Sequence, residues 1–339
     1  MTTRSANFHS IADGVYAWQP QQRGWGLANC GLVAADGAAL WIDTPYDRTL
    51  AGEFLARTRA VLAPGTEVGR IVVTHANGDH MWGAGVLPDA ELITTREALH
   101  HIAYEPTPAQ QQALLDGLDR GEDTGAYLHE HFGCFDWSGT PPVVPDTVFT
   151  GELELRVGDI PVQVSSLPPA HTSGDLIVHL PTRSTVFTGD VVFGSTAERP
   201  GDHPVHWAGP LGNVIDAVER LLDTGAETVV PGHGPLLTRA DLRGHAGYLR
   251  YVRDRAHALH AAGATAAEAA RTVIDENRYP ELGLPERLLV TIGTEYRHLD
   301  GTEPPAMLEV VGRMAHLARQ RTRAAADRAA TAATATATA

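Results

Sequence analysis

One stretch of the sequence decides the fold: residues 71–80 read IVVTHANGDH. Its first half, Ile71 to Thr74, is a short, mainly β-branched run, which is typical of a strand buried on both faces. Its second half places two imidazoles, an amide and a carboxylate directly after that strand, with Gly78 to let the backbone turn. Because ligands collect at the carboxyl ends of strands in open α/β sheets, this junction predicts a functional site at a sheet edge.

Three further segments place potential ligands beside strand-like runs. His171 precedes an apolar run, Asp190 follows Val186-Phe187-Thr188-Gly189, and His233 follows Val229-Val230-Pro231-Gly232. Imidazoles and carboxylates without thiolates suit Zn²⁺ and other borderline divalent ions. Residues two apart on an extended loop can point to one side, so positions 75, 77 and 79 can converge. Adjacent Asp79 and His80 would diverge and could serve a second ion.

Taken together, these segments resemble the motifs of the metallo-β-lactamase superfamily, which also includes glyoxalase II-type thioesterases and lactonases. The family pattern is Thr-His-x-His-x-Asp-His, then a His, then an Asp, then a His in Pro-Gly-His-Gly. Order and intervals match from about residue 14 to residue 237. The resemblance implies an α/β protein: a four-layer αβ/βα sandwich over residues 1–237, with a helical insertion at about 97–140. Helical spacing predicts a C-terminal helical region over 238–320. The Ala/Thr repeats of 321–339 predict a disordered tail.

The resemblance also implies a ligand set of seven residues. One metal position would use His75, Asn77 and His171, a second would use Asp79, His80 and His233, and Asp190 would bridge both. Asn77 departs from the family pattern, which has His there. Because an amide oxygen is a neutral and weaker ligand than imidazole, we expect one or two zinc ions, with weaker occupancy of the first position.

The resemblance implies a zinc-dependent hydrolase in which metal-bound hydroxide attacks an ester, thioester or lactone carbonyl. Asp79 is the predicted catalytic residue, which orients the nucleophile or accepts its proton. One alternative is a polyketide thioesterase/cyclase of the same fold, in which the metal polarises a carbonyl for ring closure. A pocket lined by aromatic residues of the insertion would favour it, namely Tyr104, Tyr127, Phe132, Phe135 and Trp137. Two others are a di-iron redox member and a non-catalytic member of the fold.

Five residues are candidates for substrate contact. Trp25 lies between two glycines in a loop that can act as a flap. His203, His206 and Trp207 lie in the loop after Asp190, which we expect to open over the metals. Tyr296 lies in the C-terminal helical region, where it can contact an anionic group.

Composition limits the partners and the location. The 339 residues include 26 basic and 41 acidic side chains, a net charge of −15, which argues against binding to nucleic acid or an anionic membrane. Two cysteines exclude a disulfide framework. No apolar run approaches the ~18 residues of a membrane span, and no signal peptide is visible, so we expect a cytoplasmic protein. All basic residues are Arg, which indicates a bacterial source with GC-rich coding. We expect a small-molecule substrate, anionic or linked to an acyl carrier or coenzyme A, and the apolar C-terminal helices allow a homo-oligomer.

Overall fold

A computed structural model describes residues 6–337 of the chain, with side chains described up to residue 330. Its strands form two mixed sheets. The strands of the first sheet, in spatial order, are β1 Ala6–Ala12, β2 Val15–Pro20, β3 Cys30–Ala35, β4 Ala38–Ile42, β5 Val68–Val72, β6 Glu91–Thr95 and β7 Thr147–Phe149. The strands of the second sheet, in spatial order, are β8 Glu152–Val157, β9 Ile160–Ser166, β10 Leu176–Leu180, β11 Thr185–Phe187, β12 Thr228–Val230 and β13 Leu237–Thr238.

Each sheet combines antiparallel and parallel pairs. In the first sheet, β1 to β4 pair antiparallel and β4 to β7 pair parallel. In the second sheet only β11 and β12 pair parallel. A tight hairpin joins β3 to β4: Asp36 and Gly37 have φ of 51° and 76°, as a two-residue turn of this kind requires.

The helices cover the outer faces of the sheets. They are α1 Arg48–Val61, α2 Gly78–Met81, α3 Arg96–Ile102, α4 Pro108–Gly117, α5 Asp123–Phe132, α6 Leu211–Asp223, α7 Arg239–Ala261, α8 Ala266–Asp275, α9 Leu288–Asp300 and α10 Met307–Ala337. Capping boxes fix the starts of α4, α7 and α8, where Thr107, Thr238 and Thr265 satisfy otherwise unpaired backbone amides.

Alternation along the strands builds the four layers. In β4, Leu40 and Ile42 face the apolar core between the sheets, whereas Trp41 faces the core under α1. In β11, Phe187 faces the core between the sheets and Val186 faces the core under α6 to α9. Because successive side chains point to opposite faces, each sheet is buried on both sides. The result is the predicted αβ/βα sandwich with a C-terminal helical extension, whose helices share one core with the second sheet.

The end of the chain differs from its prediction. Residues 321–337 continue α10 as helix instead of forming a disordered tail, and residues 338–339 lie outside the described residues. Ala is the strongest helix former, so an Ala-rich segment propagates a helix that has already been nucleated. Among residues 6–337, no helix combines the length and the apolar character that a bilayer span needs.

Candidate metal centre

The predicted ligands meet at one edge of the sandwich. His75 follows β5, His171 lies in the loop between β9 and β10, Asp190 follows β11 and His233 follows β12. Two groups each offer three ligand atoms that lie within 4.8 Å of one another. The groups are His75, His171 and Asp190, and Asp79, His80 and His233. The structure therefore brings these six side chains together at the ends of the strands they follow or adjoin.

Asp190 lies between the two groups. Its Oδ1 is 3.1 Å from His80 Nε2, and its Oδ2 is 3.2 Å from His233 Nε2 and 3.5 Å from His171 Nε2. A carboxylate that reaches ligands of both groups has the geometry that bridging two ions requires. Burial disfavours the charged form of Asp190, but His233, His80 and His171 outweigh it and hold the pKa of this carboxyl well below its usual range.

Each of the four histidines is oriented through its Nδ1 atom. The acceptors and distances are Thr74 Oγ1 at 3.0 Å for His75, Asp43 Oδ2 at 2.8 Å for His80, the Val205 carbonyl at 2.7 Å for His171 and the Leu27 carbonyl at 3.0 Å for His233. A neutral imidazole that donates through Nδ1 keeps its lone pair on Nε2. All four rings therefore turn Nε2 toward the centre, where each would bind a metal in its neutral form. Burial favours that form for His80, but the Asp190, Asp43 and Asp79 carboxylates outweigh burial and raise the pKa of this ring, so a metal would have to displace its second proton.

Asp43 organises two of these rings, and the sequence analysis missed it. Its carboxylate accepts hydrogen bonds from Thr74 N at 2.7 Å, from Thr74 Oγ1 at 2.8 Å and from His80 Nδ1. Because the single Thr74 hydroxyl hydrogen goes to Asp43, Thr74 Oγ1 accepts the Nδ1 hydrogen of His75. Asp43 follows β4 and has a φ of 59°, which Asp tolerates better than most residues. Its place at a strand end was the signal that could have revealed it.

The inner atoms of the cluster have no hydrogen-bond partners in the described residues. His75 Nε2, His80 Nε2 and Asp190 Oδ1 are buried and make no hydrogen bond, although the last two lie 3.1 Å apart. An unsatisfied buried polar atom costs roughly 1–3 kcal/mol, so three around one point indicate that a cation completes the site. Burial and the nearby His80 also hold the pKa of His75 well below its usual value, which keeps its ring neutral. Neutral imidazoles and ionised carboxylates are the donors that zinc accepts.

Asn77 lies among the ligands but engages another side chain. Its Oδ1 is 2.8 Å from His171 Nε2, the ligand atom of that ring. Burial lowers the pKa of His171 to about 4, so the ring is neutral and donates its only N–H to Val205. The His171 lone pair thus faces the Asn77 amide, whose N–H can reach it after a 180° rotation. The amide therefore competes with a cation for His171.

Glycine is required where the ligand loops touch. A Cβ atom on Gly232 would lie 1.9 Å from Asp190 Oδ1, far closer than van der Waals contact between carbon and oxygen allows. Gly189 has a φ of 52°, and its Cβ would lie 2.6 Å from Thr74 Oγ1. These two positions let the loops after β11 and β12 pack directly against each other and against the ligands.

A pocket of about 150 Å³ opens onto the cluster. The predicted ligands Asn77, Asp79, His171, Asp190 and His233 line it. Trp25 and Trp207, both predicted to contact substrate, also form its wall. A larger cavity of about 820 Å³ adjoins it, because Trp207 borders both spaces. Of these two spaces, Tyr296 lines only the larger cavity.

Two predicted substrate residues lie elsewhere. His203 donates to or accepts from Tyr248 Oη at 2.7 Å and lines a different cavity, beside α7 and α8. His206 is 1 % exposed, lines none of the described cavities and packs edge-on against His171, with ring centroids 6.1 Å apart. The loop after Asp190 does not open over the centre along its whole length: its backbone is tied to Thr291 of α9, which turns both rings inward.

Comparison with known proteins agrees with this geometry. The family model described as the metallo-beta-lactamase superfamily matches residues 23–233, more than half of the chain. A metallo-beta-lactamase from Pontibacter korlensis is 19% identical, with a TM-score of 0.53, and the match covers 73% of this chain and 99% of that one. The mono-zinc form of the metallo-beta-lactamase FIM-1 from Pseudomonas aeruginosa is 18% identical, with a TM-score of 0.53 and coverages of 73% and 96%. The chain therefore belongs to the metallo-beta-lactamase superfamily.

Proposed function

We propose that this chain is a zinc-dependent hydrolase of an ester-type carbonyl: an ester, a thioester or a lactone. The observation that supports it most directly is the convergence of four histidine Nε2 atoms and two carboxylates, where buried ligand atoms lack protein partners. When bound, zinc supplies a Lewis acid that polarises a carbonyl and makes water nucleophilic near neutral pH. His80, His233 and Asp79 would hold the better-bound ion, with Asp190 shared between the two positions.

Asp79 is the proposed proton-handling residue. Its side chain is 15% exposed, lines the pocket, and places Oδ2 3.4 Å from His233 Nε2. Burial raises the pKa of Asp79 above its ordinary value, and the nearby His80 and His233 oppose that shift. A carboxylate at the mouth of the cluster can orient the attacking water and accept its proton.

Aromatic side chains form the wall opposite the ligands. Trp25, Phe132, Phe193 and Trp207 line the pocket. Their rings exclude water around the reacting carbonyl, which strengthens each electrostatic interaction in the site. The pocket of about 150 Å³ suits one reacting group, and the adjoining cavity of about 820 Å³ can take the remainder of a small-molecule substrate. We favour esters, thioesters and lactones because their carbonyl groups are more electrophilic than those of amides. They therefore need less activation by a metal centre in which Asn77 is a weak ligand.

The cyclase alternative receives less support from the pocket walls. Tyr127, Phe135 and Trp137 are buried in the apolar core and line neither cavity. Phe132 lines the smaller pocket, and Tyr104 is 87% exposed at the larger cavity. Only two of the five aromatic residues of the insertion therefore line the two cavities, and hydrolysis remains the preferred proposal.

The test is a panel of activated esters, thioesters, lactones and β-lactams, assayed with zinc-loaded protein and after treatment with a chelator. We expect zinc-dependent hydrolysis of at least one ester-type class. Substitution Asp79→Asn keeps the size of the side chain and should abolish turnover, whereas Asp223→Asn, an exposed position at the end of α6, should have no effect. Turnover that survives either the chelator or Asp79→Asn would refute the proposal.

A further inference from the structure

Arg287 is a buried cation in the wall of the same pocket. Its side chain is among the largest fully buried ones, and the residue is 1 % exposed. Its Nη1 donates to the His203 carbonyl at 3.2 Å, but its Nε has no hydrogen-bond partner. Within the described part of the chain, no carboxylate oxygen lies within the 4.0 Å of an ion pair with this guanidinium. The positively charged guanidinium of Arg287 therefore borders the pocket at the metal ligands, and no carboxylate of the described residues forms an ion pair with it.

Two aromatic rings and a hydrogen-bond chain hold the guanidinium in place. Its Cζ lies 4.0 Å from the centroid of the Trp25 ring and 5.5 Å from that of Phe193. Trp25 Nε1 donates to Tyr127 Oη at 3.0 Å, and this hydroxyl donates to Glu286 Oε1 at 2.9 Å. The neighbouring Glu286 carboxylate thus accepts from Tyr127 and does not pair with Arg287. The rings fix the plane of the guanidinium and keep its fork of donors preorganised.

Burial of the Arg287 charge without an anionic partner is energetically unfavourable, and a bound anion would compensate for it. Removing a charge from water is unfavourable unless a partner compensates, and cation–π contacts offset only part of that cost. Arg287 shares the pocket of about 150 Å³ with Asp79, Asp190 and His233. An anion bound to Arg287 would therefore lie in the same small space as a carbonyl positioned at the metal ligands.

We propose that Arg287 binds an anionic group of the substrate, a carboxylate or a phosphate, and so selects anionic ester-type substrates over neutral ones. Arg287 lies in the C-terminal helical region, outside the residues 23–233 that match the family model, so this selectivity would belong to the extension of this chain. The inference rests on the proposed hydrolase function and specifies its substrate class. A planar guanidinium suits both anions, because it can donate two parallel hydrogen bonds.

Three aryl acetates with one reacting ester test the proposal. They are 4-acetoxybenzamide, which is neutral, 4-acetoxybenzoate, which carries a carboxylate, and 4-acetoxyphenyl phosphate. In zinc-loaded protein, Arg287→Met should lower kcat/KM for the preferred anionic ester by about 10- to 100-fold, mainly through KM, as expected for the loss of charged hydrogen bonds. The rate on the neutral ester should stay within about twofold, because that ester makes no such bonds. The comparison of carboxylate with phosphate identifies the anion.

Two further variants separate recognition from structure. Arg287→Lys keeps the charge but loses the forked geometry, so we expect an intermediate loss with the anionic ester only. Arg250→Met is the matched control, because Arg250 is an exposed residue of α7 that pairs with Glu219. Equal losses on the neutral and anionic esters would assign Arg287 a structural role and overturn the proposal. If Arg287→Met does not fold, as judged by circular dichroism, the selectivity of Arg287→Lys decides.

A binding measurement distinguishes failure of this inference from failure of the hydrolase proposal. If the wild-type protein hydrolyses none of the three esters, the hydrolase proposal fails for them, and Arg287 is tested by calorimetric titration with benzoate and phenyl phosphate. Zinc-loaded wild type should bind one of these anions at least about tenfold more tightly than Arg287→Met, at equal zinc content. Equal affinities would overturn the anion site whatever the activity.

Discussion

The two halves of the metal centre share Asp190 but differ in the charge of their other ligands and in whether a neighbouring amide occupies a ligand atom. One half combines His80 and His233 with the carboxylate of Asp79. In the other half, His75 and His171 have only the neutral amide of Asn77 beside them, and that amide lies 2.8 Å from His171 Nε2. Similar imidazoles can therefore form metal positions of unequal affinity. The Asp79 carboxylate adds negative charge to one half, whereas the Asn77 amide in the other half competes for a ring nitrogen.

The largest expected effect comes from removing one imidazole from each half in turn. His233→Ala should eliminate the retained zinc and, because a Lewis acid supplies several kcal/mol of transition-state stabilisation, lower kcat/KM by about a thousandfold or more. His75→Ala should cost less than about tenfold, since the ion of its half contributes little. Zinc content and ester hydrolysis measured on both variants check the prediction. Equal losses in the two variants would mean that the halves are equivalent.

A smaller effect is expected from Asp43, which supports one ring in each half. Asp43→Asn removes the charge that accepts from His80 Nδ1 and should weaken zinc affinity by about 10- to 100-fold. The change suits the backbone, because Asn also tolerates the positive φ of this position. Asp36→Asn is the matched control, since Asp36 has a positive φ in an exposed hairpin turn. Competition with a zinc-binding dye gives both affinities, and an unaltered affinity in Asp43→Asn would contradict the support role.

Asn77→His should change the rate of hydrolysis least, but it should change the number of retained zinc ions per chain most clearly. A third imidazole replaces the competing amide and restores the family pattern, so the protein should retain a second zinc ion. The rate should change only a few-fold, because the better-bound ion is already present. Asn77→Ala removes the competing amide without adding a ligand and should retain the wild-type zinc content. Retention of a second ion by Asn77→Ala would show that the amide alone blocks this half.

The strand-end pattern predicted that the candidate ligands come together, whereas the sandwich and the full ligand set were implied by the resemblance to the metallo-β-lactamase superfamily. Short β-branched runs define buried strands, and the residues that follow them meet at one edge of the sandwich, as His75 does after β5 of the first sheet and His233 does after β12 of the second. The helix at residues 321–337 was missed, because low complexity was interpreted as disorder although Ala favours helix.

Residues whose roles depend on distant packing could not be predicted. In the sequence, nothing distinguishes Arg287 from the other charged residues on helical segments. Only the fold brings it beside Trp25, which lies more than two hundred residues earlier in the chain. His203 and His206 follow Asp190 closely, yet contacts with Tyr248 and Thr291 turn their loop away from the centre. Proximity in sequence to a ligand therefore predicts substrate contact poorly, whereas position at a strand end predicts ligation geometry well.

The most direct test of the central claim is the zinc content of the wild-type protein after dialysis, measured by emission spectroscopy. We expect one tightly held zinc ion per chain. This ion should be lost in His233→Ala and kept in His75→Ala, and a second ion should bind only at higher zinc concentration. A protein that retains no zinc, or two equally tight ions, would contradict the account.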